Sequence, residues 1–145
     1  MIAQASQTED LTSLMEQQRA YFASGATRDF SFRKRALDRL EQVLISHRDA
    51  LLEALARDLG KPDVEAYLAE YYFLLQELRL IRKSYVKWLK TRRVKSPVDF
   101  LPCRSELRRD PFGMVLIVAP WNYPMQLSLS PLIAAVAAGN TVVPK

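Results

Sequence analysis

The chain has 145 residues, 49% of them hydrophobic and 26% charged, the balance of a globular domain that hides roughly 70% of its unfolded surface and excludes wholesale disorder. A formal net charge of +5 raises the question of a polyanionic partner, which the distribution of charge answers better than its total. Cys103 is the single cysteine, so a disulfide within the chain is excluded and a reducing cytoplasm fits.

The opening MIAQASQTED lacks the basic start and apolar run of a secretory signal. Thr8 is placed to cap a first amphipathic helix with Glu9 and Asp10 in its first turn, and Gly25 is a stop. A second helical pattern begins near Ser31, carries Leu37, Leu40 and Leu44, bends near His47 and closes at Gly60. A third begins near Asp63, with Asp63 as a candidate cap. Its apolar line of Leu68, Tyr71, Leu75, Leu78, Ile81, Tyr85 and Trp88 advances by threes and fours and predicts one continuous stripe, read as core or interface.

From Arg79 to Lys95 lie eight basic residues (Arg79, Arg82, Lys83, Lys87, Lys90, Arg92, Arg93 and Lys95) and no acid. This patch reads as a solvated helix face running into a basic loop. No nucleic-acid motif accompanies it. Ser96 to Arg104, with Pro97 and Pro102, reads as a connection.

Residues 1–110 hold all but one of the 21 basic residues and all 16 acids, whereas Pro111 to Pro144 carries no charge. Burial of that second region is therefore expected. A membrane helix needs about 20 predominantly apolar residues, and Pro120, Asn122, Pro124, Gln126, Ser128, Ser130 and Pro131 interrupt this one, so no span is expected. Instead MVLIVA, after the Asp110-Pro111-Phe112-Gly113 turn, reads as a strand buried on both faces. Leu127 to Ala138 follows as a helix of small residues ended by Gly139 and Asn140, and TVV as a second strand. Strand, helix, strand in this order opens a doubly wound parallel sheet. The expected class is α/β, with an N-terminal helical region over 1–110 and the start of a Rossmann-like domain, incomplete, over 111–145.

Ligands of such sheets sit beyond the carboxyl ends of the strands. APWNYP leaves the first strand there and Lys145 ends the second. Asn122 between prolines is a candidate hydrogen-bond donor to an oxygen that becomes negative in carbonyl chemistry, or an ordinary turn residue. Lys145 is a candidate for a ribose hydroxyl or phosphate, or a solvated chain end.

The stretch GMVLIVAPWNYPMQLSLSPLIAAVAAGNTVVPK, with LARDLGKPDVEAYLAEYYFLLQEL before it, closely resembles the aldehyde dehydrogenase superfamily, most of all its class 3 group of fatty, aromatic and coniferyl-type aldehyde dehydrogenases. The resemblance runs from about Ser31 onward. It implies that Asn122 donates to a thiohemiacetal oxyanion, that the backbone at Pro120 and Trp121 lines a nicotinamide cleft, and that Lys145 contacts the adenosine ribose of NAD or NADP.

It also implies a catalytic cysteine, a glutamate base and a glycine-containing pyrophosphate turn beyond Lys145. Cys103, in LPCRS, does not match that cysteine segment, and His47 has no second His or Cys nearby to make a metal site. Pro144 stands where the family commonly has an aliphatic residue; either the strand ends early or Lys145 is displaced. The expected function is the N-terminal portion of an NAD(P)-dependent aldehyde dehydrogenase, homodimeric at full length and inactive as this chain alone, its partners being the aldehyde and the remaining polypeptide. A different class, a non-enzymatic module binding through the Tyr/Leu stripe and the basic patch, is the alternative.

Overall fold

A computed structural model describes the backbone from Ile2 to Lys145 and the side chains from Leu11 onward. Helix α1 (Ile2–Ala23) begins before Thr8, so Thr8 lies inside the helix; its side chain, with those of Glu9 and Asp10, falls outside the described residues. Gly25 takes the left-handed conformation after α1, and a 3₁₀ turn (Ala26–Arg28) leads to α2 (Phe30–Ser46). The cap of α2 is Asp29, whose carboxylate accepts from Ser31 N at 2.9 Å. At His47 the chain bends into α3 (Arg48–Leu59), and Gly60, at φ 62°, closes it with its N–H on Ala56 O.

The third helix is continuous but not uniform. One α turn, α4 (Asp63–Glu65), runs into a π-helical segment (Ala66–Tyr72) and then α5 (Phe73–Leu89). Asp63 makes no side-chain cap, because Pro62 occupies that position. The stripe is buried at Tyr71, Leu75, Leu78, Ile81 and Tyr85, while Leu68 and Trp88 are exposed and Leu74 is fully enclosed instead. The wider π turn lets the buried face step by five residues from Ala66 to Tyr71, which moves Leu68 off it, while Glu70, four residues after Ala66 and four before Leu74, is buried beside Tyr71.

Leu37, Leu74, Leu78 and Ile133 are the enclosed centre of a core in which α2, α5 and a further helix, α6 (Pro124–Ala138), pack together. The stripe therefore serves this chain's own interior. The basic patch is also partly absorbed, since Arg79 Nε meets Glu41 at 2.7 Å and Arg82 meets Asp38 at 3.0 Å across α2 and α5. Beyond α5, a hairpin forms that the charge-rich sequence concealed: β1 (Arg92–Val94) pairs antiparallel with β2 (Ser105–Leu107).

Strands β3 (Met114–Ile117) and β4 (Thr141–Pro144) are parallel neighbours joined through α6, and they lie against α6 and α1. This is the expected β-α-β unit. Burial on both faces is not met, however, because Leu116 is 62% and Val118 68% exposed whereas Ile117 is 6% exposed. Alternate residues project to opposite faces, and only the Ile117 face is covered within the described chain. None of its helices is long and apolar enough to cross a membrane.

Two carboxylates of α2 set an acid limit. Hydrogen bonds from Ser31 hold Asp29, and the Lys34 ammonium with Arg82 holds Asp38, below the usual aspartate pKa. Their stabilisation is complete above the unfolded-state value near pH 4 and is lost as pH falls through the lower folded values. Urea titrations should show Asp38→Asn, and Asp29→Asn, which keeps a capping oxygen, losing stability less steeply than the parent below about pH 4.

Candidate functional site

β3 delivers the chain to Ala119, and Pro120 to Tyr123 then leave the sheet without regular structure before α6 begins at Pro124. Proline suits the first helical position, where its missing N–H has no partner to lose. The next two donors, Met125 N and Gln126 N, need acceptors, and the capping residue Tyr123 offers no side-chain bond.

Both donors go to Glu70, whose Oε2 accepts at 2.9 Å from Met125 N and at 3.3 Å from Gln126 N. Glu70 is wholly buried. Its other oxygen accepts from Lys61 Nζ, and the same ammonium lies 3.7 Å from the Tyr123 ring centroid. Tyr123 OH donates in turn to Glu65 at 3.3 Å. A carboxylate at a helix N-terminus also opposes the positive end of the helix dipole.

The other end of α6 receives the opposite charge. Arg33, buried on α2, donates to Ala137 O at 3.3 Å, Thr27 O at 2.6 Å and Arg28 O at 3.1 Å. Burial lowers its pKa from the ordinary arginine value, with the Tyr85 and Asp29 charges opposing. Gly139, at φ 97°, ends the helix hard against this guanidinium. Asn140 then ties the helix to the sheet, donating to Ala135 O at 3.1 Å and accepting from Gly113 N at 2.9 Å.

Within this frame Trp121 is 83% exposed, and Pro120 and Asn122 are exposed as well. The Asn122 amide has no hydrogen-bond partner among the described residues. An apolar groove of about 350 Å³ is bounded by the neighbouring Trp121 and Pro124 with Met125, Leu51 and Leu55.

Lys145 lies at the same rim: its N–H donates to Ile117 O at 2.8 Å and its carbonyl accepts from Ala119 N at 3.4 Å. Pro144 stands opposite Ile117 as the last residue of β4, so the strand ends one residue before Lys145, whose N–H still bonds to Ile117 O. Thr141 N–H donates to Gly113 O, just before β3, and Lys145 N–H to Ile117 O, so by the alternation of the ladder the N–H that proline lacks belongs to the opposite edge. Cys103 is exposed on the β1–β2 connection, in the other sheet. No group of three or more His, Cys, Asp or Glu side chains suited to a metal ion gathers among the described residues.

The sequence reading missed Glu70, Lys61 and Arg33. Each is a charge that acts on a segment distant in sequence, and the readable signal was only that α6 has no charge and no local cap of its own.

All of residues 1–145 match the model of the aldehyde dehydrogenase family. The chain belongs to this oxidoreductase family. It is 44% identical over 127 residues to 4,4'-diaponeurosporen-aldehyde dehydrogenase of Staphylococcus aureus (strain NCTC 8325 / PS 47), covering 88% of this chain and 28% of that protein. It is 40% identical over 131 residues to aldehyde dehydrogenase family 3 member B1 of Bos taurus, covering 90% and 28%. A solved substrate-bound state of Staphylococcus aureus AldH superposes with a TM-score of 0.89 at 41% identity, over 92% of this chain and 29% of that one. Glyceraldehyde-3-phosphate dehydrogenase GapN of Methanocaldococcus jannaschii, complexed with NADP, shares the fold at a TM-score of 0.80 and 24% identity, over 94% and 28%. The chain thus spans about 28% of the length of the curated relatives it matches.

The contact between Arg33 and Gly139 is open to test. A Cβ at Gly139 would collide with Arg33 Nη2, whose guanidinium is fixed by carbonyls, whereas one at Gly60 would meet nothing within 4 Å. Gly60→Ala should cost about 1 kcal/mol for its positive φ alone, and Gly139→Ala more. In an Arg33→Met background the excess should shrink, giving a coupling of about 0.5–3 kcal/mol in a double-mutant cycle measured by urea denaturation.

Proposed function

We propose that these residues supply the oxyanion donor and one wall of the dinucleotide cleft of an aldehyde dehydrogenase that oxidises an aldehyde to a carboxylic acid. The observation that carries this reading is the state of Asn122. Its amide is exposed and unpartnered at the carboxyl end of a parallel strand, on a loop tied down by the residues that follow it. A turn asparagine would ordinarily spend its side chain on nearby backbone.

In the proposed chemistry a cysteine thiolate adds to the aldehyde carbonyl, and the thiohemiacetal oxygen gains negative charge as the C–S bond forms. Asn122 Nδ2–H donates to that oxygen. A bound NAD or NADP supplies the acceptor for hydride. The exposed Pro120 and Trp121 would flank the nicotinamide side, and the exposed Lys145, one strand over, would donate to an adenosine ribose hydroxyl. The thiolate and the glutamate base are assigned to sequence outside these 145 residues, since Cys103 is held on the β1–β2 connection. The chain acts with that remainder, as a homodimer in the cytoplasm, and does not turn over alone.

The alternative of a helical interaction module is disfavoured because most of its stripe is core and Arg79 and Arg82 are already paired. Steady-state kinetics of the natural protein test the dehydrogenase reading. Asn122→Ala should lower kcat about 10²–10³-fold with little change in the KM for aldehyde, and Lys145→Ala should raise chiefly the KM for the dinucleotide. An unchanged kcat in Asn122→Ala would remove Asn122 from the mechanism.

A further inference from the structure

We propose that Glu70, neutralised by Lys61, is the positioning residue that aims Asn122, an inference that rests on the oxyanion-donor reading above. Helix α6 opens with donors that some group must accept, and the common solution is a Ser, Thr, Asp or Asn at the cap. Asn122 stands one residue before that cap and is the nearest local side chain able to serve. It is not used. Glu70 takes the Met125 and Gln126 donors from a helix distant in sequence, at 2.9 and 3.3 Å, and so leaves the asparagine amide free to point at a ligand.

The manner of capping is costly enough to need a reason. A wholly buried carboxylate loses its hydration, and its ion pair with Lys61 only partly offsets that loss. A single serine at the cap would satisfy a helix end without any buried charge. What the pair adds is fixation on both sides of one joint. The Lys61 ammonium that meets Glu70 also lies 3.7 Å from the ring centroid of Tyr123, the residue directly after Asn122, and Tyr123 OH reaches Glu65. Residues 123, 125 and 126 are thereby tied to the segment 61–70.

That segment contains the π turns of Ala66–Tyr72. Glu70 lies on its buried face, and π segments of this kind are frequent at functional sites. If the joint shifts by about 1 Å, a donor aimed at a transition-state oxygen loses on the order of 10²-fold in rate.

The test uses Glu70→Gln, which keeps an oxygen for the two amides, and Glu70→Leu, which keeps none, with Glu70→Gln/Lys61→Met as a neutral pair that should fold if Glu70→Leu does not. In the natural enzyme, hydrogen exchange at the Met125 and Gln126 amides should accelerate at least 10-fold in Glu70→Leu, while the Leu74 and Leu78 amides stay protected; the neutral pair should retain protection. In the natural enzyme, Glu70→Leu should lower kcat about 10²-fold at nearly constant KM for the dinucleotide, Glu70→Gln should recover most of it, and neither should matter further in an Asn122→Ala background.

Protection at Met125 and Gln126 unchanged in Glu70→Leu overturns the proposal. So does loss of protection there in the neutral pair equal to that at Leu74, or a kcat loss in Glu70→Leu that persists undiminished with Asn122→Ala. If Asn122→Ala alone leaves kcat intact while the two amides still lose protection in Glu70→Leu, the oxyanion reading fails and the control of the joint by Glu70 stands.

Discussion

Helix α6 has no charged residue, yet both of its ends meet a buried charge. Glu70 lies at the amino end and Arg33 at the carboxyl end, each from a different helix, and each of the sign that opposes the local dipole. The rest of the structure is arranged around that double clamp. It fixes the helix along its own axis, which apolar packing by itself does weakly, because small side chains such as those of PLIAAVAA slide past one another with little change in buried area.

The clamp explains features that would otherwise be unrelated. Gly139 leaves room for the Arg33 guanidinium, and Asn140, one residue later, registers the helix end against Gly113 at the start of β3. At the other end the π segment holds Glu70 at the interface and Tyr71 in the core, with Leu74 buried just beyond it. The strand, the loop and the helix are therefore joined at both ends of a short cycle, and the loop has little freedom left. Such rigidity is what a hydrogen-bond donor needs if it is to act by preorganisation and not by reorienting during the reaction.

The two strands answer a different constraint. β4 pairs with β3 through alternate residues, and hydrogen bonding continues past Pro144 because the proline falls where β3 asks for no donor. The face with Leu116 and Val118 is uncovered and Trp121 is exposed, in a chain that spans about 28% of the length of the family relatives it matches. An apolar strand edge left open is an aggregation hazard, so the solution behaviour of these residues depends on what covers that surface.

Much of this was legible in the order of residues. Helix ends at Gly25, Gly60 and Gly139, the bend at His47, the β-α-β unit and the rim position of APWNYP and Lys145 all follow from local backbone preference and hydrophobic period, which act over a few residues. Motif resemblance added the family. What the sequence left hidden was the phase of the third helix, where a π segment moved Leu68 off the buried face, the β1–β2 hairpin, whose charged residues carry no apolar alternation, and the exposed face of β3. The clamp was hidden for the same reason. Whether a glutamate, a lysine or an arginine is solvated or buried against a helix end 55 or 104 residues away depends on which elements become neighbours, and only the tertiary structure decides that.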